Sequence, residues 1–195
     1  MSLDFELIEQ STKYSSDQLK NVIKTDCPDL LFLTDFLYPP MVDKLINFVT
    51  TNELDWQKEV NIEYAPRYKI NWITNTVIEE THTVLENLTI PLNSQFDKNN
   101  KFIGMTVWKD NEGFTIGKHD RDNEIIDMSI QVYLTEDLAN LGTSFIYNNK
   151  IIQANYTKNC GYLYDNNRGV THYMNTPVPK GHVRYSLYAM WSRIT

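Results

Sequence analysis

The residues best suited to chemistry in this 195-residue chain are two histidines and the acids that follow the first of them. His119 opens the run His119-Asp120-Arg121-Asp122-Asn123-Glu124, and His172 lies in Gly169-Val170-Thr171-His172-Tyr173. Two neutral imidazoles and one carboxylate can hold a ferrous ion from one side and leave three coordination positions open. A bidentate ligand and a gas molecule could then both reach the metal. The residue types alone carry little weight, since any histidine beside an acidic turn offers the same donors. Arg184 raises a second question. From Arg184 to Trp191 the chain alternates as a strand does: Arg184, Ser186 and Tyr188 share one face, and Tyr185, Leu187, Ala189 and Trp191 the other. An arginine in so apolar a strand is either exposed at an edge or paired with an anion, because burying an unpaired charge is prohibitive.

These side chains need elements to position them. From Lys101 onward short apolar or alternating runs recur at 102–108, 114–116, 128–134, 144–147, 151–156, 162–164 and 185–191. Turn-rich stretches such as Lys109-Asp110-Asn111-Glu112-Gly113 and Asp165-Asn166-Asn167-Arg168-Gly169 separate them. The spacing predicts an antiparallel sandwich or barrel of jelly-roll type. Within 129–134, Ser129, Gln131 and Tyr133 alternate with Ile130, Val132 and Leu134. The apolar face must pack on something, and the N-terminal helices are the candidate. The polar face is either solvated or the interior of a barrel that holds a polar ligand.

The first half predicts those helices. A weak helical pattern covers 16–23, and Leu30-Leu31-Phe32-Leu33 reads as a buried strand stopped by Tyr38-Pro39-Pro40. Beyond the prolines, Met41, Leu45, Phe48 and Val49 fall on one helical face. Thr76-x-x-Glu79 reads as a capping box opening a second helix with Val77, Val84, Leu85 and Leu88 as its stripe. No repeat or linker divides the chain. The expectation is an α+β fold in one domain over 1–195, with supporting helices and strands in 1–100 and a β-rich core in 101–195.

Composition narrows the partners. The net charge is −7 and no cluster of Lys or Arg occurs, which disfavours nucleic acid, whose binding rests on neutralising phosphates. Two cysteines, Cys27 and Cys160, are too few for a disulfide framework or a cysteine zinc site and read as thiols in a reducing compartment. The stretch 1–10 carries acids and no apolar core, so it does not read as a secretory signal. No apolar run nears the ~20 residues of a membrane helix. A cytoplasmic protein without membrane contact is expected. Of the four histidines, His82 on the second helix and His182 in a Pro-Lys-Gly loop read as incidental.

The order of the pieces is more specific than any one of them. Val107-Trp108 through Gly113, His119, Gln131-Val132-Tyr133-Leu134, Gly142-Thr143-Ser144-Phe145, Asn159-Cys160-Gly161-Tyr162, His172 and Arg184-Tyr185-Ser186 follow one another over about 101–193. In that order they resemble the catalytic core of the Fe(II)/2-oxoglutarate-dependent dioxygenases, nearest in style to the prolyl 4-hydroxylase-like branch. Leu33-Thr34-Asp35-Phe36-Leu37 followed by a helix is similar to the family's usual entry. The resemblance implies a double-stranded β-helix (jelly-roll) core, with Fe(II), 2-oxoglutarate as co-substrate, and O₂. It implies His119 and His172 as metal ligands, Arg184 as the salt bridge to the distal carboxylate of 2-oxoglutarate, and Ser186 and Tyr133 as further contacts to that group.

One motif departs from the family pattern. The family has His-x-Asp, whereas His119 is followed by Asp120, Arg121 and Asp122. Neighbours on an extended strand point to opposite faces, which turns Asp120 away from His119. Asp122 is one residue further than the pattern, and a bulge or turn could re-aim it. Counting back from Tyr133-Leu134 puts Asp122-Asn123 where family members have the metal aspartate. The resemblance thus favours Asp122, with Asp120 second, and the spacing also leaves open a site that has lost its iron. The implied reaction hydroxylates an unactivated C–H bond while 2-oxoglutarate is decarboxylated to succinate and CO₂. A peptidyl prolyl group is the first substrate expected and a free amino acid or other small molecule the second. The rival reading is a non-catalytic jelly-roll module that binds carbohydrate or protein.

Overall fold

The computed structural model describes residues 2–51, 54–59, 67–71, 75–120, 125–135, 141–166 and 170–194. Helix α1 (Phe5–Gln18) is capped by Asp4, whose side chain accepts from the Leu7 N–H. A turn of 3₁₀ helix (Leu19–Asn21) leads into β1 (Ile23–Lys24) and β2 (Leu30–Leu33). The helix expected over 16–23 therefore lies earlier. Its buried face is Ile8, Ser11 and Ser15, and the two serines conceal the helical period from an apolar count. Helix α2 (Pro39–Thr51) begins on the prolines themselves, which cost nothing in a first turn whose N–H groups have no helical partner. Met41, Leu45, Phe48 and Val49 are buried as expected. Strands β3 (Gln57–Lys58) and β4 (Arg67–Asn71) follow, then α3 (Thr76–Asn87) and α4 (Thr89–Phe96). The cap of α3 is Asn75, not Thr76, and its side chain accepts from the Val77 N–H.

The second half is β-rich: β5 (Asn100–Asp110), β6 (Met128–Tyr133), β7 (Thr143–Tyr147), β8 (Lys150–Gln153), β9 (Gly161–Asp165), β10 (Thr171–Met174) and β11 (Arg184–Arg193). The expected strand over 114–116 is an extended segment outside any named strand. Its carbonyls still accept from Val178 and Met174. The strand expected to reach 156 ends at Gln153, and β10, which carries His172, was not anticipated.

Two antiparallel sheets face each other. The larger has the order β1-β2-β9-β6-β11-β5-β4-β3 and the smaller β10-β7-β8. Mixed helices and antiparallel strands make this an α+β jelly roll. Ile130 and Val132 of β6, and Leu134 just beyond it, join Leu187, Ala189 and Trp191 of β11 in a core shared with α2 and α3. The opposite face of the larger sheet meets the smaller one across Phe114, Tyr133, Phe145, Tyr162 and Tyr164. The period-two pattern thus sorts the side chains of β6 and β11 between a helical core and an inter-sheet space. Cys27 and Cys160 are both buried thiols.

Gly161 sets the approach of β9 to β6. A Cβ there would lie 1.8 Å from the Gln131 carbonyl oxygen, a backbone atom that cannot step aside. Gly161→Ala is expected to destabilise the protein by about 3 kcal/mol, read as a lower urea midpoint with an unchanged slope. At the other end of the barrel Asp127 ties three strands, accepting from Asn100 Nδ2 (2.9 Å) and Arg193 Nη2 (2.9 Å) and lying 3.4 Å from Lys98 Nζ. Burial works against its charge, but the Asn100 hydrogen bond, Lys98 and Arg193 outweigh it and hold the carboxyl below its ordinary 3.8. A lowered pKa stabilises the fold above the unfolded value, and that contribution is lost as the pH falls below 3.8. Asp127→Asn should accordingly flatten the acid limb of a stability-against-pH curve.

Candidate active site

A cavity of about 320 Å³ opens between the two sheets, with His119, His172, Arg67, Arg184 and Gln131 on its wall. His172 sits on β10, and His119 lies on the irregular segment after β5. The two backbones form a bridge, His172 N–H to His119 O at 2.8 Å and His119 N–H to His172 O at 3.1 Å. This pairing brings residues distant in sequence side by side, with ring centroids 4.0 Å apart. The His172 ring also packs against Phe145 and Tyr164.

Each imidazole is oriented by its own backbone. His119 Nδ1 is 2.9 Å from the Gly117 carbonyl, and His172 Nδ1 is 3.1 Å from the Val170 carbonyl. A carbonyl can only accept, so in the neutral rings the proton sits on Nδ1 and the lone pair on Nε2. Such an outer hydrogen bond fixes the tautomer of metal-binding histidines.

Asp120 lies elsewhere. Its Oδ1 accepts from Thr171 Oγ1 at 2.6 Å on the exposed side of the bridge. Asp120 and Thr171 each follow or precede a bridged histidine by one residue, and alternation puts them together on the opposite face. Asp122 falls outside the described residues. Among the described residues no third histidine, cysteine or carboxylate completes a metal-binding set.

Arg184 begins β11 and is 1% exposed. Its Nη1 donates to Asp110 Oδ2 at 2.6 Å. Asp110, expected to lie in a turn, is instead the last residue of β5, fully buried and level with Arg184 in the strand register. On its other side β4 places Arg67 level with it, and Arg67 grips both carboxylate oxygens, Nε to Oδ1 at 2.6 Å and Nη2 to Oδ2 at 3.1 Å. The Arg67 guanidinium lies between the rings of Trp108 (4.3 Å) and Phe114 (4.4 Å). Burial opposes the charge on Arg184, yet Asp110 outweighs it and holds the pKa above the ordinary value. Two guanidiniums thus share one carboxylate, and a positive charge is left over in a buried site. Nε and Nη2 of Arg184 are buried and have no hydrogen-bond partner among the described residues. Both features fit an incoming carboxylate, which a guanidinium fork binds at two points.

Ser186 and Tyr133 lie beside Arg184 but are already engaged. Ser186 Oγ accepts from Gln131 Nε2 at 3.0 Å, and Gln131 in turn accepts from the Tyr162 hydroxyl. The Tyr133 hydroxyl accepts from the Thr143 N–H at 2.8 Å and donates to Thr143 Oγ1 at 3.2 Å. Its ring, 5.2 Å from the Arg184 guanidinium carbon, is the part that meets the arginine. Arg67 and Asp110 escaped the sequence reading. The strand alternation left Arg184 either exposed at an edge or paired with an anion, and the register identifies that anion as Asp110. His82 is half-buried against Phe102, with burial lowering its pKa, and stands apart from this cavity.

Neither a protein-family model nor a curated protein matches the sequence. Solved structures do match the fold. The prolyl-4-hydroxylase of Pseudomonas putida superposes with a TM-score of 0.69 at 14% identity, over 97% of this chain and 100% of that one. HygX of Streptomyces hygroscopicus, solved with nickel, 2-oxoglutarate and hygromycin B, gives 0.65 at 9% identity, over 91% and 86%. A Trichoplax adhaerens prolyl hydroxylase in complex with a hypoxia-inducible-factor peptide fragment gives 0.59 at 11% identity, over 99% and 94%. At such identities the likeness establishes a shared fold, that of the 2-oxoglutarate/Fe(II) oxygenases.

Asp110 is the sole acid at the junction of two buried cations among the described residues. Removing it in Asp110→Ala leaves both without a counter-ion and is expected to cost about 3–5 kcal/mol, measured by urea unfolding.

Proposed function

From a fold shared with the 2-oxoglutarate/Fe(II) oxygenases, we propose that this protein is an Fe(II)- and 2-oxoglutarate-dependent dioxygenase that hydroxylates a C–H bond. One observation carries the proposal. A buried arginine with two N–H groups unpartnered among the described residues faces the same cavity as two histidines whose Nδ1 atoms each meet a backbone carbonyl. Leaving buried donors unsatisfied is costly, so the arginine fork calls for an anionic ligand.

In this reading His119 and His172 bind the metal through Nε2 and Asp122 supplies the carboxylate. Asp120 is set aside because Thr171 holds it on the outer face. Arg184 takes the distal carboxylate of 2-oxoglutarate through Nε and Nη2. Ser186 stands two residues along the same face, and Tyr133 supports the guanidinium with its ring. Iron, when bound, supplies the redox chemistry that decarboxylates the oxoacid to succinate and CO₂ and places one oxygen of O₂ in the substrate. The chain's own part is to anchor the oxoacid at its far end and fix both imidazoles.

The remaining wall is largely apolar, with Trp108, Ile116, Ile126, Met174 and Met190, and suits a compact apolar group such as a prolyl ring. The fold neighbours include two prolyl hydroxylases and a structure holding hygromycin B, so a peptidyl and a small-molecule substrate are both consistent with the fold.

Anaerobic addition of Fe(II) and 2-oxoglutarate should produce a visible charge-transfer band that His172→Ala abolishes. Asp122→Ala should lose the band and Asp120→Ala should keep it. If neither metal nor oxoacid binds, the dioxygenase reading is wrong.

A further inference from the structure

The row Arg67–Asp110–Arg184 runs across three neighbouring strands, β4, β5 and β11, at one level of the register. It contains one more cation than the anchor for a single carboxylate requires. The surplus arginine also has the tighter hold on the acid. Arg67 takes both oxygens of Asp110, whereas Arg184 reaches only Oδ2. Arg67 is itself held by the aromatic faces of Trp108 and Phe114.

We propose that Arg67 is a positioning residue for the oxoacid, acting through Asp110 to leave Arg184 cationic and its fork unoccupied. The inference rests on the dioxygenase reading above. Without Arg67, Asp110 and Arg184 would form a closed pair with no net charge. Oδ1 of Asp110, now taken by Arg67, would become available to a second N–H of Arg184 in a fork-to-fork arrangement. An arriving carboxylate would then meet an occupied guanidinium and an acid that repels it at low local dielectric. With Arg67 in place, Asp110 is satisfied from the β4 side, the row Arg67–Asp110–Arg184 carries one net positive charge, and the incoming carboxylate completes the neutralisation of that row. Two acids against two guanidiniums is the balanced state, and the oxoacid supplies the missing member.

The test measures binding without turnover, by calorimetry on the Fe(II)-loaded protein under argon. The probes are 2-oxoglutarate and 2-oxovalerate, which has the same chain length but no distal carboxylate. Arg67→Gln should weaken 2-oxoglutarate roughly ten- to a hundredfold, the worth of one charge-assisted hydrogen bond, and should change 2-oxovalerate by less than about threefold. The double variant Arg67→Gln/Asp110→Asn restores the surplus charge and should recover most of the lost affinity. Arg67→Lys, which keeps the charge but not the two-point grip on Asp110, should lose clearly less affinity than Arg67→Gln and serves where the double variant does not fold. Unchanged 2-oxoglutarate affinity in Arg67→Gln would overturn the inference. So would a loss that neither the double variant nor Arg67→Lys recovers, since that marks a packing role. Both outcomes leave the dioxygenase reading intact. A parent protein that binds no 2-oxoglutarate removes that reading and this inference together.

Discussion

The fold is organised around the cost of burying charge. Arg184 is nearly inaccessible, yet it must remain ionised, and only a fixed acid at the same level of the sheet makes that tolerable. Asp110 occupies that level because β5 and β11 pair antiparallel with Arg184 opposite it, and β4 adds Arg67 on the far side. A slip of one residue in either pairing would turn the acid to the helical core and strand both arginines. Register, more than any single contact, is what the site depends on. Gly161 serves the same end on β9, keeping Gln131 and its Ser186 hydrogen bond in line.

The histidine pair belongs to a different part of the sandwich. His172 is on the smaller sheet, while Arg184 is on the larger one. A ligand spanning the two must therefore bridge an inter-sheet space whose width is set by Phe145, Tyr162 and Tyr164 packing between the sheets. Those aromatics are rigid and large, so the separation between imidazoles and guanidinium is held by packing instead of by loops.

Much of this was legible in the sequence where side-chain period decides the outcome. The alternation in β6 and β11 separated two faces and assigned the apolar face of β6 to the helices, while leaving the polar faces either solvated or turned inward. Adjacency on an extended segment likewise turned Asp120 away from His119. Elements failed to show where the pattern was hidden. Ser11 and Ser15 stand on the buried face of α1 where apolar residues would have revealed it. Asp110 looked like the start of a turn because Asn111, Glu112 and Gly113 follow, and nothing local marks it as buried. Arg67 lies in a short strand whose partner is found only through the sheet. Both are products of long-range pairing, which a local reading of period and turn chemistry does not reach.

That distinction bears on why a fold can persist at 14% identity. Alternation and turn placement tolerate nearly any apolar residue at inward positions, so the sandwich can be kept while its sequence drifts. Charged cavity residues are far less exchangeable, because each buried ion constrains its neighbours. Once Arg184 is buried, an acid must stand at its level, and an acid shared with a second cation changes the charge that a ligand meets. Adding or removing one charge on β4 would alter the affinity of the cavity for carboxylates without altering the fold. In this architecture, ligand preference can therefore change through residues on the strand beside the anchor, at sites that no comparison of folds would single out.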